Sequence, residues 1–214
     1  MVMFINKSCA YCGRTEGNST KGHVIPRSLY PNNLPAAKRI TVPECVQCKK
    51  LWEDAEHQFR NIMLAIWNPN EVPGDNRYEN LRRSFTKCDG LRRHNDLMNA
   101  IKHVKIDDQN RDMIYPANDN NFNLILRRII RGLSHFHGVE SAISDDRVYC
   151  NVMKYAVPPE FQRSFTWNEI YLDFCRYGFV KVNEQNIASF WLIKFSKQVE
   201  FFGAVSKLPK DDQE

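Results

Sequence analysis

The chain has 214 residues, 43% of them hydrophobic and 26% charged, with a mean hydropathy of −0.53. This gives room for one full core with a small satellite and excludes a wholly disordered or collagen-like chain. No stretch approaches eighteen consecutive apolar residues and no export signature opens the chain, so the expectation is an intracellular, cytoplasmic protein with no membrane span. The net charge of +5 is uneven: residues 1–110 hold 17 basic and 12 acidic side chains and residues 111–214 hold 13 of each, which points the N-terminal half toward a polyanion such as nucleic acid.

In chain order, residues 1–5 are apolar and lead into a turn holding Cys9 and Cys12. Residues 22–26 read as a short strand ended by proline, and residues 40–42 as a second β-prone run that Pro43 ends. Trp52, Ala55, Phe59, Ile62, Met63 and Ile66 then recur at helical spacing. They predict an amphipathic helix over 49–66 whose other face carries Lys49, Glu53, Glu56, His57 and Arg60. Residues 68–80, filled with Asn, Pro, Gly and charge, read as a linker. Residues 91–103 predict a helix, and 104–116 a hairpin or two edge strands.

Phe122, Ile125, Ile129, Leu133 and Phe136 form a helical stripe over 119–137 that stops near Gly138. The aromatic and β-branched runs 148–155, 171–182 and 190–205 read as strands, with residues 196–198 as a turn between two of them. The expected architecture is therefore α+β. It comprises a finger over 1–66, a linker and variable helical or hairpin segment over 67–118, a C-terminal helix-on-antiparallel-sheet domain over 119–206, and a frayed tail over 207–214.

The seven cysteines divide by spacing. Cys9/Cys12 and Cys45/Cys48 form two C-x-x-C pairs, and four reduced thiolates can surround one structural zinc ion tetrahedrally. Cys88, Cys150 and Cys175 stand alone and read as small core residues. Arg127, Arg128 and Arg131 fall opposite the apolar stripe of the 119–137 helix and read as a solvated or salt-bridged face, with phosphate contact as the alternative. Arg82, Arg83, Arg92, Arg93 and His94 could extend a positive wall beside the finger. His135 and His137 read as helix-end residues, and Trp167 and Trp191 as core.

The segment Cys9-Ala-Tyr-Cys12, Gly22-His23-Val24-Ile25-Pro26-Arg27, Pro43-Glu44-Cys45-Val-Gln-Cys48 and Glu56-His57-Gln58-Phe59-Arg60 resembles the zinc-knuckle branch of the HNH endonucleases. The resemblance covers residues 9–60. It implies a zinc-bound, treble-clef-like ββα-metal finger and a hydrolase that cuts phosphodiester bonds, with double-stranded DNA as the partner and a divalent ion such as Mg²⁺ in addition to the structural zinc. Carried over, His23 is the general base, and Arg27, Lys49 and Arg60 are candidate phosphate ligands. A neutral imidazole suits the base role because it titrates near physiological pH.

The chain departs from the pattern at the ion ligands. Gly22 stands where an acidic residue or histidine is expected, Lys49 where an asparagine or histidine is expected, and Ile40 near the family's central asparagine. Three readings follow: an ion held by Glu53 with Glu56 or His57, Lys49 replacing the ion as counter-charge, or a site that no longer cleaves. The last would make the chain a zinc-stabilised nucleic-acid-binding or protein-interaction module of HNH ancestry. Oligomeric state leaves no mark in the sequence.

Overall fold

The computed structural model describes residues 8–15, 19–31, 34–66, 77–106, 108–114, 119–153, 155, 157–171, 174–182, 186–196 and 199–207. The apolar start, most of the expected linker, the tail beyond 207 and two residues of the 196–198 turn lie outside them. No helix among the described residues is long and apolar enough to cross a membrane.

Two short strands open the fold, β1 (Thr20–His23) and β2 (Thr41–Glu44), paired antiparallel with Gly22 opposite Val42 and His23 opposite Thr41. Proline does not end β2: Pro43 sits inside it, opposite Lys21. It is tolerated because β2 is an edge and the outward backbone of Pro43 needs no N–H. Its carbonyl faces the first cysteine turn and accepts the Ala10 N–H at 2.9 Å.

Helix α1 (Val46–Ile66) follows directly and buries Trp52, Ala55, Phe59, Ile62 and Met63, as the 3.6-residue stripe predicts. It begins a turn earlier than expected, which places Cys48 in its first turn. A helix not anticipated from sequence, α2 (Arg77–Ser84), occupies the end of the expected linker. Helix α3 (Gly90–Ala100) stops three residues short of its expected end, because residues 101–106 pair in a hairpin, β3 (Ile101–Ile106) with β4 (Gln109–Ile114).

Helix α4 (Asn120–Phe136) starts at Asp119, whose carboxylate accepts the Phe122 N–H at 2.8 Å and so satisfies one of the free donors of the first turn. Around it lie β5 (Val148–Val152), the short helix α5 (Pro159–Gln162), β6 (Thr166–Tyr171), β7 (Cys175–Lys181), β8 (Ile187–Phe195) and β9 (Val199–Ser206). The five strands form one antiparallel sheet in the order β5-β9-β8-β7-β6. The sequence merges the end of β6 with β7 because β6 is a mostly polar, half-exposed edge strand that gives little alternation.

Helix α4 lies between α1 and the sheet. Phe122 bridges them, 4.6 Å from Phe59 of α1 and 5.8 Å from Phe201 of β9 between ring centroids. One apolar cluster therefore runs from Cys9, Tyr11 and Trp52 through α4 to Phe201 and Val205, while Val157, Phe165 and Leu192 make a smaller one elsewhere. The expected helix-on-sheet half and the cysteine half share this core. Trp191 is fully buried, and Trp167 is half-buried under Arg176. Cys175 is buried, but Cys150 is only partly so and Cys88 is exposed; residue 88 lies in a polar turn after α2, where no core can form.

Candidate metal centre and adjoining cleft

The β1–β2 ribbon brings the two cysteine pairs to one end of α1. The thiols of Cys9, Cys12, Cys45 and Cys48 all lie within 4.8 Å of one another, and three of the four residues are buried. Cys12 Sγ and Cys45 Sγ are 3.7 Å apart, close to the roughly 3.8 Å edge of a tetrahedron with metal–sulfur bonds near 2.3 Å. Backbone N–H groups already point at the sulfurs, from Cys45 to Cys9 Sγ and from Cys48 to Cys45 Sγ, each at 3.4 Å. The hydrogen bond with Cys48 is the main reason the Cys9 thiol falls to about 4. This donor set could hold a metal ion such as zinc. Among the described residues it is the one group of three or more His, Cys, Asp or Glu side chains close enough to do so.

Next to it, between the β-ribbon and α1, is a cleft of about 390 Å³ lined by Lys21, Gly22, His23, Arg27, Glu44, Lys49, Glu53, Glu56, His57 and Arg128. Six sequence-nominated residues meet here: His23, Arg27, Lys49, Glu53, Glu56 and His57. Arg60 does not line it. Its Nε and Nη2 bind Asn61 Oδ1 at 3.2 and 2.8 Å, since position 60, on the same face as Glu53, lies about two turns further along α1, beside Arg93 and Asp89. His57 also borders a second, polar hollow of about 270 Å³, which Arg92, Arg93, Asp96 and Asp119 help to line. Arg93 there is tied to Asp89 at 2.7 Å, while Arg82, Arg83 and Arg92 stay exposed.

His23 is half-buried, its ring edge-on to Tyr30 at 6.3 Å. Burial first, then the charges of Arg27, Arg39, Arg128 and Lys21, hold its pKa below the ordinary imidazole value, so the ring is neutral at pH 7. His57 is lowered in the same way, by burial and then Arg93 and Arg60.

Two residues of the cleft have a role that the sequence does not assign them. Glu44, 2% exposed, accepts the Trp52 indole N–H at 2.7 Å and an Arg128 Nη2–H at 3.2 Å, both on Oε1. Burial raises its pKa and Arg128 opposes that rise. Arg128, also 2% exposed, donates in addition to the His23 carbonyl at 3.0 Å and to Glu56 Oε1. Of the two readings of the α4 arginine face, solvated or salt-bridged, the second holds, and the solvated one is corrected for Arg128 and Arg131. Arg128 and Arg131 are buried against the first cysteine turn, where Arg131 donates to the Tyr11 carbonyl at 2.7 Å. Arg127 is half-buried and pairs with Asp145 at 2.7 Å. Arg128 and Arg131 can be buried because Glu44, Glu56 and the carbonyls of His23 and Tyr11 meet them, with Asp145 as a further partner of Arg131. Arg128 stands one turn from Ile125 and next to Ile129, at the border of the apolar stripe, and that is the available clue. His137 turns to the sheet, its Nε2 2.9 Å from the Tyr177 hydroxyl.

No family model matches the chain, and neither a curated protein nor a solved structure matches it.

Proposed function

We propose that the chain is an HNH-type endonuclease acting on double-stranded DNA, with structural zinc in the four-cysteine cluster. The observation that carries this reading is the convergence of a neutral histidine, His23, with Arg27, Lys49 and Lys21 in one open cleft beside a strand–strand–helix thiol cluster. The cations would hold the scissile phosphate. His23 would take a proton from a water whose oxygen attacks phosphorus; the new P–O bond forms, the bond to the leaving sugar oxygen breaks, and that oxygen takes a proton from solvent.

The test is cleavage of supercoiled plasmid by wild type and His23→Ala. Loss of a general base should reduce cleavage by about a hundredfold or more while zinc content and DNA affinity stay unchanged. Equal cleavage by both proteins would refute the assignment of His23. No cleavage by either, with DNA binding retained, would point to a binding module.

A further inference from the structure

We infer that the cleft carries its own cation, the Arg128 guanidinium, and engages phosphate without a divalent ion; the phosphate half of this rests on the nuclease reading above. The residues at hand do not fit such an ion. A divalent ion held firmly by side chains is met by about three carboxylate or imidazole groups turned to one point. Of the acidic side chains in the cleft, Glu44 and Glu56 are both bound to Arg128; Glu53, an exposed residue one turn away on α1, and the imidazoles of His23 and His57 remain, but among the described residues no three such side chains outside the four cysteines lie close enough together to hold an ion. Gly22 offers no side chain, and the cation of Lys49 opens onto the same space.

Arg128 is placed as a fixed structural charge. It is 2% exposed and lies 5.6 Å from the centre of the Tyr11 ring and 5.5 Å from that of Trp52. It spans three groups: the carboxylates of Glu44 and Glu56 and the carbonyl of His23. A planar fork of five donors suits such a task, where an ammonium would not reach all three. Through the His23 carbonyl it also fixes the strand that presents the imidazole, so it acts as a positioning residue. Arg128 offsets one of the two charges of Glu44 and Glu56, so Lys21, Arg27 and Lys49 face the opening against that residual charge and Glu53; the cleft stays positive, and an anion such as a phosphodiester is the ligand that balance favours.

The experiment is a Mn²⁺ titration of full-length, zinc-loaded protein followed by electron paramagnetic resonance, a readout independent of cleavage. Wild type should show no Mn²⁺ site that Glu53→Gln, Glu56→Gln or His57→Ala removes. Arg128→Met keeps an apolar stem, frees Glu56 and leaves Glu44 with its Trp52 bond alone, and should gain a one-equivalent Mn²⁺ site that wild type lacks; a folded variant without that gain overturns the inference. That gain should disappear in Arg128→Met with Glu56→Gln. If Arg128→Met fails to fold, the wild-type, Glu53→Gln, Glu56→Gln and His57→Ala titrations decide alone. A wild-type Mn²⁺ site lost in Glu53→Gln, Glu56→Gln or His57→Ala overturns the inference.

Where plasmid cleavage is observed, it should persist in EDTA at concentrations that leave the measured zinc content unchanged. Cleavage abolished there and restored by Mg²⁺ also overturns the inference. Absence of all cleavage sinks the nuclease reading, and the titration still decides the identity of the cation.

Discussion

The carboxylate of Glu44 fills the space that a side chain on Gly22 would need. A β-carbon built on Gly22 meets Glu44 Oε2 at 2.5 Å and Glu44 Cβ at 2.6 Å. The second of these contacts is with an atom fixed to the β2 backbone, so the crowding cannot be relieved by a rotamer change. Glycine is here the partner of a buried glutamate. Gly22→Ala should destabilise the protein by about 1–3 kcal/mol, read as a drop in the denaturation midpoint. Gly22→Asp, which supplies the acidic residue of the HNH pattern, should be worse rather than restorative. Unchanged stability of either variant would show that Glu44 can leave its position freely.

The thiol cluster predicts about one zinc ion per chain by elemental analysis. Cys48→Ser should lower that content and destabilise the fold, because ligand binding and folding free energy are one quantity at such a site. As Cys9, Cys45 and Cys48 belong to the apolar cluster that reaches Val205, the loss should extend beyond the first 66 residues. A zinc-free protein of equal stability would contradict the assignment.

For pH, the signs follow from the lowered pKa values of His23, His57 and His137, for each of which burial is the first cause. A folded-state pKa below the unfolded value of about 6.5 means the unfolded chain binds protons first. The histidine contribution to stability is therefore complete above about pH 6.5 and is lost as pH falls through the lower folded values. Any cleavage should show its acid limb below pH 6.5, since His23 stays neutral there. Chemical denaturation and kcat/KM measured from pH 4.5 to 8 check both. An acid limb above 6.5 would mean that His23 is not the base.

Duplex DNA affinity should fall steeply with salt, and Lys49→Ala and Arg27→Ala should each lower the slope of log affinity against log salt by about 0.9 if each side chain holds one phosphate. Arg60→Ala should leave the slope unchanged, since its guanidinium is turned to Asn61. Fluorescence anisotropy between 50 and 300 mM salt measures this. An Arg60 effect as large as that of Lys49 would relocate the binding surface.

Most of what set the fold was local and therefore legible. The Cys9/Cys12 and Cys45/Cys48 spacings, the α1 stripe from Trp52 to Ile66 and the α4 stripe from Phe122 to Leu133 all stand in the sequence itself. Helix α2 was hidden because its polar composition offers no apolar period, and β6 because an edge strand need not alternate. Arg128 and Glu44 were hidden for another reason. What makes each tolerable in the interior is the other, 84 positions away, and no window of sequence contains both. Arg60 shows the converse: sharing a helix with Glu53 and Glu56 did not carry it into the same cleft.

The span between His23 and Arg128, 105 positions, also sets an order in time. A ribosome adding about 5–20 residues per second needs roughly 5–20 s to pass from one to the other. During that interval the growing chain displays the imidazole and both glutamates with no arginine to organise them. The cleft can assemble only after the helix that follows the β3–β4 hairpin has emerged, so an incomplete chain released early would carry the cysteine pairs without the finished site.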